Sequence, residues 1–286
     1  MVYFVLAKRQ SCLGIEYDMN REPLVVCLCP TAYAPWFIPN IVAMFQAQDH
    51  PNKKLVILDD TDLVTEQEGD GWILHSTPER ISSLPKKYNR MLELAGDFDV
   101  AVVMEQDDVF LPWHCSSHVA AINATGYGWS HPAFVWTDRS GSGPARPLAP
   151  EPTGHARLHG ALAITRETLD KIGGWVDTDC ADFDLQMMVK LRESGPPADP
   201  THYAAPSYMF RWATTNTPHG QSFGRSRKDT EWYTRAGDTL RQEFFRKVAA
   251  NRWKLPIGRL TPQFDSETAG IYNNAGWLKR QWDARG

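Results

Sequence analysis

Three short apolar runs limit what this chain can fold into: "VVCLC" at residues 25–29, "LVIL" at 55–58 and "VAVVM" at 100–104. Each runs straight into polar or acidic residues, as "PT", "DDTD" and "EQDD". Continuous apolar runs of this length suit strands buried on both faces. The first is expected from Leu24 to Cys29, stopped by Pro30. "KKLVILDDTD" is a second strand, and "GWILHS" a third on a sheet edge. Between the first two, Ile38, Ile41, Val42 and Phe45 recur at helical spacing, with Pro39 suited to the first turn. In "PKKYNRMLELAGDFD", Tyr88, Met91, Leu92 and Ala95 make one apolar helix face, and Gly96 is a natural stop. Lys86, Asn89 and Arg90 lie off that stripe. Strands alternating with helices imply a mostly parallel sheet covered on both faces. In such sheets ligands gather beyond the carboxyl ends of the strands, where all three polar sequences fall.

Composition narrows the function classes. The chain has 286 residues, enough for one large domain or two small ones. Its net charge of −4 gives no global attraction to nucleic acid or anionic membrane. The five cysteines (Cys12, Cys27, Cys29, Cys115, Cys180) are odd in number and form no CxxC pair. Cys27 and Cys29 point to one face of a strand and are too extended to bridge easily. This argues against structural zinc and fits a reduced, cytoplasmic compartment. The opening "MVYFVL" is short for a signal peptide, and no run approaches the roughly 18 apolar residues of a membrane span.

After residue 110 the pattern changes. "HPAFVWTDRSGSGPARPLAPEPTG" is rich in Pro, Gly and Ser and reads as a long loop or irregular excursion. "GALAIT" reads as a strand and "RETLDKIGGW" as a short helix closed by two glycines. "ADFDLQMMVKLRES" is helical, with Asp182 and Asp184 in its first turn. A further helix is expected over 228–250, and the remainder holds Trp253, Trp277 and Trp282.

The ordered motifs "VVCLCPT", "LVILDDTD", "LPKKYNRMLELAGDFDVAVVMEQDD" and "GALAITRETLDKIGGWVDTDCADFDLQMM" resemble glycosyltransferase family 2, with its GT-A fold, over roughly residues 23–193. The family carries a Gln near the end of the first helix, here Gln48. The resemblance implies an α/β, Rossmann-like, open and mostly parallel twisted sheet flanked by helices. Residues 1–225 would form the nucleotide-sugar-binding and catalytic domain, and 226–286 a helical C-terminal extension packed on it. Two departures stand out. The family's Asp-x-Asp appears as Glu105-Gln106-Asp107, and its Glu-Asp-x-Asp as Ala181-Asp182-Phe183-Asp184.

By that resemblance, Pro30, Thr31, Asp59 and Asp60 hold the nucleoside of a donor, with UDP-hexose the expected class. Lys86, Lys87 and Asn89 face its base or phosphates. Glu105 and Gln106 lie at the ribose or a metal-bound water. Asp107 binds Mn²⁺ or Mg²⁺, with Asp108 a further candidate ligand. Strand-end carboxylates are ordinary ligands for such hard cations. Asp182 is the candidate general base and Asp184 faces the acceptor or is structural. Gly173, Gly174 and Trp175 floor the sugar. His219, in "TNTPHGQSFGRSRK" beside Arg225, Arg227 and Lys228, is a candidate metal or phosphate contact. His155 and His159 share i, i+4 spacing but sit beside the Pro-rich stretch without a supporting Glu, so a loop or core role is expected.

The acceptor hydroxyl belongs to a glycan, a lipid-linked sugar, a protein or a modified nucleic acid, between which nothing here chooses. The basic-aromatic sequences "NRWK" and "WLKRQW" permit contact with a membrane surface, and the C-terminal stretch permits self-association. The competing class, motivated by Ala181 and Glu105, is a sugar-nucleotide or carbohydrate-binding module without turnover.

Overall fold

The computed structural model describes residues 21–31, 35–61, 64–138, 149–154, 158–177, 183–211 and 260–285. In chain order the elements are β1 (Val25–Thr31), α1 (Ile38–Gln46), β2 (Lys53–Asp59), β3 (Gln67–Gly69), β4 (Trp72–Ser76), α2 (Leu84–Ala95), β5 (Val100–Val103) and β6 (Val109–Phe110). There follow α3 (His114–Thr125), β7 (Trp129–Ser130), β8 (Phe134–Asp138), β9 (Ala149–Pro152), β10 (Ala163–Thr165), α4 (Arg166–Ile172), α5 (Phe183–Ser194) and β11 (Tyr208–Arg211). Two helices close the chain, α6 (Ser266–Asn273) and α7 (Ala275–Asp283).

Seven strands form the main sheet in the order β3-β4-β2-β1-β5-β10-β7. The four central strands are parallel, and β3, β10 and β7 join antiparallel. Period-two alternation gives the sheet two apolar faces. Val25, Cys27, Cys29, Leu55, Ile57, Val100 and Val102 pack with α1, α3 and the C-terminal helices. Val26, Leu28, Val56, Leu58, Ala101 and Val103 pack with α2, α4 and α5. Both layers of the expected α/β architecture are therefore present. A second sheet, in the order β6-β11-β8-β9, extends the molecule beyond the end of β5.

The expected helix over 38–45 and the second helix with its Gly96 stop are in place, the latter capped by the Ser83 side chain. Three expectations need correction. β1 does not stop at Pro30 but continues to Thr31, with Pro30 opposite Leu58 of β2. On its other side β5 has already ended, its last pair being Leu28 with Val103. There β1 has one neighbour, and a missing N–H is tolerated. "GWILHS" is not an edge, because β4 lies between β2 and β3. The three-residue β3 is too short to read from periodicity.

The Pro-rich stretch is no simple loop either. Its two flanks pair antiparallel as β8 and β9, with Phe134 opposite Pro152 and Trp136 opposite Pro150. Both prolines sit on the outermost strand of that sheet, where the ladder needs no donor from them. The expected helix over 228–250 lies outside the described residues.

The C-terminal segment is tied to α1 and to both sheets. Asn40 Nδ2 donates to Thr268 Oγ1 at 3.1 Å, and Asp265 N–H donates to Asn40 Oδ1 at 3.1 Å. Tyr272 Oη donates to the Phe110 carbonyl, and the Leu260 N–H donates to Gln67 Oε1 at 2.9 Å. No described helix is long and apolar enough to cross a membrane. Cys27, Cys29 and Cys115 are free thiols in the core, with 3.7 Å between the sulfurs of Cys27 and Cys115.

Candidate active site at the carboxyl ends of β2 and β5

β5 ends at Val103, and the Met104 N–H still donates to the Leu28 carbonyl at 2.9 Å. The chain then turns through Glu105, Gln106, Asp107 and Asp108 before entering β6. The segment that leaves this turn is anchored by Gln48. Its amide donates to the Leu111 carbonyl at 3.1 Å and accepts from the Cys115 N–H at 3.1 Å. The turn thereby presents three carboxylates at one place. Glu105, Asp107 and Asp108 each offer an oxygen, and these oxygens lie within 4.8 Å of one another.

Phenol and imidazole groups donate to two of these acids. Glu105 Oε1 accepts from Tyr88 Oη at 2.8 Å and from His159 Nδ1 at 3.4 Å. Asp108 Oδ2 accepts from Tyr208 Oη on β11. Burial, then the neighbouring carboxylate charge, raises the pKa of both phenols, so each remains an O–H donor. Gly160 makes room for the second pair. A Cβ there would stand 2.7 Å from Tyr208 Oη and 3.1 Å from Asp108 Oδ2. Gln106 turns back to β1, its Oε1 accepting from Thr31 Oγ1.

At the end of β2 two adjacent aspartates are treated differently. Asp60 is fully enclosed, accepting at Oδ1 from Lys87 and Arg80 and at Oδ2 from the Ile81 N–H at 3.1 Å. Lys87 also donates to the Thr31 carbonyl at 2.8 Å. Asp59 is equally buried. Its Oδ1 accepts from Thr61 N–H at 3.0 Å and Thr61 Oγ1 at 2.7 Å, while its Oδ2 has no hydrogen-bond partner among the described residues. Burial is the main reason its pKa is raised, partly offset by Thr61 and Lys87.

Asn89 spends both ends of its amide on Trp175, donating to its carbonyl at 2.9 Å and accepting from its N–H at 2.9 Å. That contact fixes the Gly-Gly-Trp turn. Gly174 has φ +70°, and a Cβ there would lie 2.6 Å from Asn89 Oδ1. Lys86 stays at the surface, 3.0 Å from Ser82 Oγ and 3.3 Å from Asp177. Asp184 opens α5, and its charge acts on Tyr88 and His159.

The structure thus brings Thr31, Glu105, Gln106, Asp107 and Asp108 together, with Pro30, Asp59 and Asp60 at the ends of the adjoining strands. Lys87 and Asn89 are directed to protein groups. Asp182 and His219 lie outside the described residues, as does His155. Sequence reasoning did not assign Tyr208 or Arg80 to the site, and it read Tyr88 only as part of a buried stripe. His159 is buried but is not merely a core residue. Burial opposes a charge on it, while the bond to Glu105 and the charges of Asp184 and Glu105 outweigh burial and raise its pKa. The Trp175 indole N–H, which needs a lone pair on Nε2, pulls the other way. Only fold-dependent contacts link these residues, so spacing carries no signal for them.

A divalent cation fits the acidic turn. Among the described residues the donor set is carboxylate oxygen, which suits Mg²⁺ or Mn²⁺ better than a soft metal.

No protein-family model and no curated protein matches the chain. Solved structures do. TarS 1–349 from S. aureus in complex with UDP-GlcNAc is 14 % identical, with a TM-score of 0.52 over 91 % of this chain and 83 % of that one. The same protein in complex with UDP is 11 % identical, with a TM-score of 0.51 over 68 % of this chain. In that second comparison the chain spans 61 % of the other's length. The mannosyltransferase PcManGT from Pyrobaculum calidifontis, in complex with GDP-Man and Mn²⁺, is 16 % identical at a TM-score of 0.47, over 95 % of this chain and 77 % of that one. At these identities the likeness concerns the fold. With the sheet order above, the architecture is an α/β fold of the GT-A type.

Proposed function

We propose that the chain is an inverting, metal-dependent glycosyltransferase of family 2, moving a hexose from a nucleotide sugar, UDP-hexose first among them, to an acceptor hydroxyl. The observation that carries this reading is the convergence of Glu105, Asp107 and Asp108 at the end of β5. It lies in a fold shared with a protein whose complex holds UDP-GlcNAc.

Asp59, with a buried unpartnered oxygen, accepts from the nucleoside. Thr31 and Gln106 shape the wall beside it, and Pro30 ends its strand there. Asp60 and Lys87 brace that wall from within. Asn89 acts through the sugar floor it ties down. Asp107 is the principal metal ligand, with Glu105 and Asp108 completing the acidic set and His219 reaching the metal or the phosphates. A bound Mn²⁺ or Mg²⁺ supplies Lewis-acid stabilisation of the departing diphosphate. Asp182 takes the proton of the acceptor hydroxyl as its oxygen attacks the anomeric carbon opposite the leaving group.

A screen of nucleotide sugars, scored by nucleotide release with and without chelator, tests the reading. Metal-dependent release is expected, and full activity in excess chelator contradicts it. Asp182→Asn should leave donor binding almost unchanged while transfer falls by roughly two to four orders of magnitude. Asp184→Asn is run beside it. Loss confined to Asp184→Asn moves the base to that residue. Loss in neither removes α5 and its approach from the mechanism.

A further inference from the structure

Behind the acidic turn lies a cluster of four rings, three of them buried, that no motif announced. Tyr88 stacks on Trp175, with ring centroids 4.8 Å apart and planes 14° from parallel. His159 stands edge-on to Tyr88 at 5.0 Å and to Phe183 at 5.4 Å. Its side chain is 2 % exposed, against 25 % for Glu105, so the ring lies behind the carboxylate and not in the cleft.

The polar contacts of the cluster run in one direction. The Trp175 indole N–H donates to His159 Nε2 at 2.7 Å. An indole can only donate, so Nε2 must present its lone pair, and the ring proton is on Nδ1. Nδ1 is the atom that faces Glu105 Oε1. Trp175 therefore selects the tautomer that makes His159 a donor to Glu105. Tyr88 Oη gives the same oxygen a second donor.

The backbone bends to allow this. Leu158, immediately before His159, has φ +71°, the one non-glycine among the described residues in that region. Left-handed geometry is unfavourable for an L-residue and persists where the surroundings enforce it. Here it launches the short turn that carries His159 into the cluster.

We infer that His159 and Tyr88 are positioning residues for Glu105, and that Trp175 acts through His159 to couple the sugar floor to the acidic turn. Neither side chain needs to touch the donor. They fix one oxygen of a carboxylate that is a methylene longer than the Asp otherwise expected there, and so aim its head group at the cation. The inference rests on the metal-dependent reading of the site. Outer partners of this kind typically govern 10–100-fold in metal affinity.

The test uses Mn²⁺ alone, titrated into the full chain and followed by electron paramagnetic resonance, so that no donor or acceptor is needed. An asparagine amide mimics the Nδ1 position of histidine, and a glutamine amide the Nε2 position. His159→Asn should keep the contact to Glu105 and hold Mn²⁺ affinity within about threefold. His159→Gln keeps only the contact to Trp175 and should weaken Mn²⁺ by about 10–100-fold. Tyr88→Phe removes one hydroxyl, preserves the stack and should weaken Mn²⁺ in the same direction with little change in Tm. Equal losses in the Asn and Gln variants, or wild-type affinity in Gln and Phe together, would overturn the inference while the metal site stands. No Mn²⁺ binding by the wild-type chain would overturn the metal-dependent reading and this inference with it.

Discussion

The ends of β2 and β5 both carry clustered acids, and the protein handles them in opposite ways. At β2, Asp60 is sealed off and faces two cations, Lys87 and Arg80. At β5, Glu105 accepts from a phenol and an imidazole, and Asp108 from a phenol. A carboxylate paired with a buried cation has its field spent inside the protein. One that accepts from hydroxyl groups is oriented without being cancelled by the donor's charge. Adjacent Asp59 shows the same contrast at close range, with one oxygen tied to Thr61 and the other unpartnered. Clustered acids in a sequence thus divide into those that brace the fold against buried cations and those that, on the proposed function, work in the site.

The largest expected effect is at β5. Asp107→Ala should take nucleotide-sugar turnover below detection and weaken UDP binding in Mn²⁺, with Tm close to wild type. A large loss of Tm would place Asp107 among the bracing acids and break the contrast. At β2 the loss should fall on stability instead. Lys87→Met leaves buried Asp60 with only Arg80 as a cation and should cost about 3–5 kcal/mol in urea unfolding.

Asp59 sharpens the comparison through pH. A raised folded-state pKa means that its contribution to stability is fully present below the unfolded value, near the ordinary carboxylate range. That contribution is lost as pH rises through the folded value. Asp59→Asn cannot ionise, so its Tm should gain on wild type as pH rises through that window. Its affinity for a uridine nucleotide should fall by about 1.5–3 kcal/mol by calorimetry. Parallel Tm-against-pH curves for the two proteins would show that Asp59 carries no such penalty. The smallest effect is expected at Arg80, whose side chain is 49 % exposed. Arg80→Met should cost less than about 1 kcal/mol, because solvent screens that arm of the pair.

The central strands, α1, α2 with its glycine stop, and the acidic strand ends were legible because each is encoded within ten or so neighbouring residues. Apolar runs, helical spacing and turn residues report burial and period directly. The second sheet was not legible. β6 and β11 are two and four residues long, and β8 and β9 are interrupted by a stretch that reads as loop. What stabilises them is pairing with distant strands, such as Tyr208 with Phe110.

The same division runs through the site. Sequence alone was enough to place carboxylates at the ends of β2 and β5, since strand ends and acid clusters are local features. Which of those acids would be neutralised depended on tertiary contacts. Lys87 reaches Asp60 across 27 positions, His159 reaches Glu105 across 54, and Tyr208 reaches Asp108 across 100. An ion pair or a donor is a matter of a few ångströms, and chain separation says nothing about it until the sheet has closed. The pattern of residues determined where the charge would gather, and only the folded packing decided which acids would meet a buried lysine and which a phenol or an imidazole.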